Sequence, residues 1–193
     1  MKVRAILFVI ATMSLLVACG GGDYSPKPQA YLRIDLPEHD YSQVDTLPCF
    51  SFEVNKIANI TVKKNTRRDM WVDITYPEWD GVVFLSHKRI VSPLDLRGQT
   101  DTSLRLLENH YQFSSGVDEQ GYEDANARVF GTTYRLHGSK VASTYQFWLT
   151  DSTSHFLRGS LYLNRTPNND SLAPVLEYIQ ADIEHLVETL RWK

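Results

Sequence analysis

Leu16-Val17-Ala18-Cys19 places a thiol directly behind small and apolar residues, following Lys2, Arg4 and an apolar run from Ala5 to Val17 broken only by Thr12 and Ser14. A charged start, a short apolar core and small residues at the cut are the parts of a secretory signal. The run of thirteen residues falls well short of the roughly 20 that a membrane-spanning helix needs. The Leu-x-Ala-Cys ending resembles a lipobox, whose cysteine sulfur takes lipid while the peptide before it is removed. The alternative is an ordinary signal peptide with an incidental cysteine. One acyl chain holds a bilayer only marginally, at about 0.8 kcal/mol per buried methylene, whereas two or three on Cys19 suffice alone. The expected order is a signal peptide over 1–18, a lipidated cysteine and tether over 19–30, and one globular domain over 31–193. The membrane is then a partner through Cys19.

Other residues capable of chemistry are dispersed. The histidines stand at 39, 87, 110, 137, 155 and 185, with no partner at metal-ligand spacing and no His-Glu-x-x-His. No glycine-rich phosphate loop follows a strand, so neither metal nor cofactor is expected. Asp151-Ser152-Thr153-Ser154-His155 comes nearest to a catalytic cluster. A nucleophile, base and acid must converge from separate parts of a fold, which five residues along one turn do not easily achieve. Ser and Asp are also what a tight turn requires, because their side chains bond the local backbone. With Cys19 consumed by lipid, Cys49 has no intramolecular partner, and Pro48-Cys49-Phe50-Ser51-Phe52 reads as an apolar strand around an inert thiol. A bridge to another molecule is the other option. These residues alone point to an anchored envelope protein that is not an enzyme.

The elements that position these groups follow from periodicity. Val72, Ile74 and Tyr76 share one face of a strand over 70–76, and Asp80-Gly81 turns it into a second over 82–87. Arg128–Leu136, Val141–Thr150 and Phe156–Leu163 form a strand run with short turns, hence antiparallel pairing. Leu94–Phe113 reads as a helix with Leu104, Leu107 and Tyr111 on one stripe. A clearer helix carries Leu172, Val175, Leu176, Ile179, Ile183, Leu186, Val187 and Leu190 at three- and four-residue steps. Its expected polar side holds Glu177, Asp182, Glu184 and Glu188. Asp170 or Ser171 is the expected cap, and Pro174 the tolerated first-turn proline. The fold class is α+β: a mostly antiparallel β-sheet packed against at least two helices, one of them the amphipathic C-terminal helix.

Charge narrows the partners. The 193 residues carry 20 basic and 23 acidic side chains; removing Lys2 and Arg4 leaves 18 against 23, a balance of −5. That argues against nucleic acid as a partner. Lys63-Lys64-Asn65-Thr66-Arg67-Arg68 is locally basic, either a solvated turn or a contact with anionic lipid or glycan. Gly20-Gly21-Gly22 through Pro26-Lys27-Pro28 reads as a tether, flexible and then stiff.

Tyr145-Gln146-Phe147-Trp148-Leu149-Thr150-Asp151-Ser152-Thr153-Ser154-His155-Phe156-Leu157-Arg158-Gly159-Ser160-Leu161-Tyr162 closely resembles the gliding motility lipoprotein GldD family of the Bacteroidota. So do Pro167 to Val175, Glu188 to Lys193, and Tyr31-Leu32-Arg33-Ile34-Asp35-Leu36-Pro37 behind Pro26-Lys27-Pro28. The resemblance implies a cell-envelope lipoprotein required for gliding, tied to the type IX secretion system and its envelope proteins. It offers no catalytic residues, and outer membrane facing the periplasm is the expected location. The strand–helix order is also similar to the Mog1/PsbP-like α+β sandwich, an analogy of fold that says nothing of function. Asp-Ser/Thr before an apolar residue or Thr resembles that phylum's O-glycosylation pattern, which makes Thr46, Ser152 and Ser171 candidate acceptors. Ser171 is better explained as a helix cap. A ligand-binding module for glycan or lipid, built from Trp71, Trp79, Trp148 and the tyrosines, is the competing function. It requires several of those aromatics to share one exposed face.

Overall fold

The computed structural model describes residues 34–66 and 68–193; Cys19 and the tether lie outside the described residues. Residues 33–193 make one contact unit. The strands are β1 (Tyr41–Val44), β2 (Phe50–Asn55), β3 (Asn59–Asn65), β4 (Asp69–Tyr76), β5 (Gly81–Arg89), β6 (Gly116–Asp124), β7 (Val129–His137), β8 (Tyr145–Thr150), β9 (His155–Leu163) and β10 (Arg191–Trp192). Helix α1 is Pro93–Glu108 and α2 is Asn169–Thr189. A seven-stranded sheet runs β3-β4-β5-β9-β8-β7-β6, every neighbouring pair antiparallel. A small sheet, β1-β2-β10, joins the leading and trailing segments of the domain. The architecture is α+β, as the periodicities require.

Alternation explains the layers. Met70, Val72, Ile74 and Tyr76 on β4, Leu85 on β5, and Phe147 and Leu149 on β8 all point to one face and are buried. There they meet α2 through Val175, Ile179, Ile183, Leu186 and Val187, and β2 through Phe50, Phe52 and Val54. Burying each such side chain contributes about 1.5–3 kcal/mol. Two glycines set the fit. A Cβ on Gly81 would lie 2.8 Å from Ile179 Cδ1, so its absence lets α2 approach the sheet. A Cβ on Gly159 would lie 2.1 Å from Phe147 Cε1, so β9 leaves a notch for that ring. Between β4 and β5, Pro77–Trp79 makes one 3₁₀ turn and Asp80 takes the left-handed conformation at φ 53°, which short polar residues tolerate.

On the opposite face α1 covers only part of the sheet. Leu104 and Leu107 pack with Tyr134, Leu136, Val141, Val117 and Trp148. Ser92 caps α1 by accepting the Asp95 N–H at 3.1 Å. The β4–β5 portion of that face stays open, with Trp71 46% and Phe84 42% exposed.

Four expectations need correction. Helix α2 starts at Asn169 behind Asn168, with no side-chain cap, so neither Asp170 nor Ser171 caps it. That earlier start puts Pro174 inside the helix rather than in its first turn, where the N–H it lacks is missed. Asp182 is buried rather than on the polar side, because it is spaced three and four residues from the stripe members Ile179 and Leu186. The first helix ends at Glu108, and Tyr111, in a separate 3₁₀ turn, is 45% exposed rather than on the stripe.

Candidate functional site

The residues singled out from sequence lie on separate elements. Cys19 lies outside the described residues. Thr46 is exposed beyond β1, and Ser171 is half-buried in the first turn of α2. Ser152 is exposed at φ 67° on the β8–β9 turn. Beside it, the Asp151 carboxylate accepts from the Thr153, Ser154 and His155 backbone N–H groups at 2.9, 2.7 and 2.8 Å and from the Thr153 hydroxyl at 2.7 Å. Burial alone would raise its pKa, but these bonds outweigh burial and bring it down to about 2. The cluster is thus a hydrogen-bonded turn, and the His155 ring faces elsewhere. Cys49 is half-buried, its thiol pKa pushed up by burial.

The His155 ring meets His87 instead, Nδ1 to Nε2 at 3.0 Å. His87 sits on β5 at 3% exposure beneath Phe50 and Trp192, and its Nδ1 has no partner. Burial, then the neighbouring His155, lowers its pKa to about 4. Trp192 of β10 stacks on His155 at 5.1 Å. Both imidazoles are neutral at pH 7, and one ring N–H donates to the other ring.

A second cluster centres on Asp182, 4% exposed. Its Oδ1 accepts from His39 Nδ1 at 2.7 Å and Asn55 Nδ2 at 3.1 Å; its Oδ2 accepts from the Tyr76 hydroxyl at 3.0 Å. Burial and this carboxylate raise the Tyr76 pKa, keeping the phenol protonated. His39 stacks on Tyr178 at 4.1 Å. A His–Asp pair is an acid–base unit, yet among the described residues no Ser, Thr or Cys hydrogen-bonds His39. What the arrangement does is clamp the segment before β1 onto α2. Nor is any group of three or more His, Cys, Asp or Glu side chains among the described residues placed to hold a metal ion.

The third feature is the open sheet face. Trp71 on β4 and Phe84 on β5 are diagonal neighbours there, and Phe84 meets Tyr162 of β9 at 5.8 Å between ring centroids. Lys64 Nζ lies 4.5 Å over the Trp71 ring and is held by Asp69 at 2.9 Å. Such a cation over an indole contributes about 0.5–1 kcal/mol at an exposed site. Toward α1 the same face carries Arg158, whose guanidinium donates to Gln146 Oε1 at 2.6 Å. Of the aromatics named from sequence, Trp71 is exposed on this face and Tyr162 half-buried there, joined by Phe84. Trp79 is instead buried in the core against α2, and Trp148 is half-buried in the cluster under α1, so the expected platform of tryptophans does not form. No helix among the described residues is long and apolar enough to cross a membrane.

No curated protein and no solved structure matches the chain. The sequence model of the gliding motility lipoprotein GldD family matches residues 21–192, from just behind Cys19 through Trp192 of β10. That span takes in every element of the fold, and the chain belongs to the gliding motility lipoprotein GldD family.

Proposed function

We propose that this lipid-anchored protein serves gliding motility as a non-enzymatic accessory, supporting assembly or stability of the gliding and type IX secretion machinery through protein contacts. The family match across residues 21–192 carries this reading. Cys19 is the proposed anchor, two residues ahead of that match, with the domain held at the periplasmic side of the outer membrane. Among the described residues the large sheet ends in two edge strands, basic β3 with Lys63 and Lys64 and acidic β6 with Asp118, Glu119, Glu123 and Asp124. Each edge resists pairing with the same edge of another copy and suits a strand of opposite charge. The test compares secreted proteins and colony spreading in a deletion strain, wild type, and strains complemented with the native chain or with Cys19→Ala. Loss of type IX cargo from the medium supports an assembly role. Normal secretion with lost spreading restricts the protein to gliding itself. Full complementation by Cys19→Ala sinks the anchor.

A second reading, a ligand-binding envelope module, is favoured by one observation: Trp71 and Phe84 are exposed side by side on the part of the sheet that α1 leaves open, with the half-buried Tyr162 against Phe84.

A further inference from the structure

Arg158 carries a partly desolvated charge. It is half-buried on β9, and its one hydrogen bond goes to a neutral amide, Gln146 Oε1, at 2.6 Å. Among the described residues no carboxylate pairs with it. Cations taken out of water are ordinarily neutralised by a counter-charge, because desolvation otherwise costs several kcal/mol. Gln146 is 2% exposed and its Nε2 has no partner, so the bond to Arg158 alone orients that amide. The pair fixes the guanidinium while leaving its charge and most of its donor fork unused.

The strand register shows what lies beside it. Arg158 pairs across to Ser86 on β5, and Ser86 to Trp71 on β4, all on the face opposite α2, with the half-buried Arg158 on the side nearer α1 and Trp71 on the open side. Adjacent strands are about 4.8 Å apart, so the outer two backbones are separated by about 10 Å. The next row on that face holds Ser160, Phe84 and Asp73. Its one carboxylate, Asp73, is half-buried and ion-paired with Lys63 at 3.8 Å. A cation, a hydroxyl and an exposed indole thus stand in one row about 10 Å long, with the exposed Phe84 ring diagonal to the indole in the next row. We propose that this face binds an acidic saccharide, with a hexuronate carboxylate on the Arg158 fork, the Ser86 hydroxyl between, and a sugar ring lying on Trp71 and Phe84. Arg takes a planar carboxylate through two parallel hydrogen bonds, and an aromatic face buries the apolar side of a sugar ring. The inference deepens the ligand-binding reading and is independent of the assembly reading.

The test is isothermal titration of the detergent-solubilised full mature chain with linear trimers of galacturonate, guluronate and mannuronate. Maltotriose serves as the neutral control and inorganic phosphate as the bare anion. At least one uronate trimer is expected to bind more tightly than maltotriose. Arg158→Gln should weaken it by about tenfold or more, the scale of a charge-assisted hydrogen bond, and Trp71→Ala by severalfold. Because Trp71 is 46% exposed, its removal tests the site even where Arg158→Gln disturbs folding. No uronate trimer binding above the neutral control overturns the proposal. So does affinity unchanged in Arg158→Gln, or phosphate competing fully while Trp71→Ala has no effect, which would leave a bare anion site. Such failures leave the secretion and spreading phenotypes, and with them the assembly reading, unaffected.

Discussion

His87 shows how one buried side chain can write a pH dependence into the whole domain. Burial and the adjacent His155 depress its pKa from 6.5 to about 4. The unfolded chain therefore binds a proton between those values that the folded chain does not, and stability must rise with pH across that window. Above pH 6.5 both states hold a neutral ring, and the contribution is fully present. It declines as pH falls from 6.5 to about 4, with a total swing of about 3 kcal/mol at 1.36 kcal/mol per pKa unit. His87→Leu removes the titrating group while keeping most of the volume. Urea unfolding at several pH values should show a shallower slope for the variant between 4 and 6.5, and parallel behaviour above 7. Identical slopes would mean that His87 protonates as freely in the folded protein as in the unfolded one.

At the level of elements, the Phe147 ring on β8 sits hard against Gly159 on β9. Adding a methyl at Gly159 would set a carbon 2.1 Å from the Phe147 ring, and overpacking of that kind costs about 1–3 kcal/mol. Gly159→Ala should lower the urea midpoint accordingly, and Gly159→Ala with Phe147→Leu should cost at least about 1 kcal/mol less than the two single changes summed. Strict additivity would show that the ring does not fill the notch. The β4–β5 hairpin was legible because a buried face recurs every second residue along β4, and α2 because its stripe recurs at three and four. The β7–β8–β9 run was legible because turn residues separate its apolar stretches, although β8 begins at Tyr145 rather than Val141. Strand β6 was not legible: Gly116 to Asp124 is an exposed edge with little apolar alternation, so no period marks it. β10 is two residues long and exists only through its pairing with β2. Asp182 left a signal in its spacing from Ile179 and Leu186, but its polarity argued the other way. Arg158 left a similar signal as a charge inside the apolar run 156–161. Its exposure depends on where α1 stops, and pattern within one segment does not contain that.

For the molecule as a whole, the decisive arrangement is that the C-terminal residues close the small sheet over the histidine pair. Arg191 and Trp192 pair with Ser51 and Phe50. Trp192 Nε1 donates to the Arg128 carbonyl at 3.1 Å, the Lys193 N–H to the Cys49 carbonyl at 3.0 Å, and Lys193 Nζ to the Leu47 carbonyl at 2.9 Å. Removing residues 191–193 deletes these bonds and the half-buried indole, a loss of about 2–4 kcal/mol from lost apolar burial and hydrogen bonds. The urea m-value reports how far the damage spreads. An unchanged m with a lower midpoint means that only β10 is lost. A smaller m means that β1 and β2 have come away from the large sheet in the native state. The truncation also removes the ring stacked on His155 and lying 6.4 Å from His87. Water then reaches the pair, the His87 pKa climbs back toward 6.5, and the acid-side slope of stability flattens toward that of His87→Leu. A truncated chain that keeps the full slope would show that β2 alone, through Phe50, keeps His87 dry.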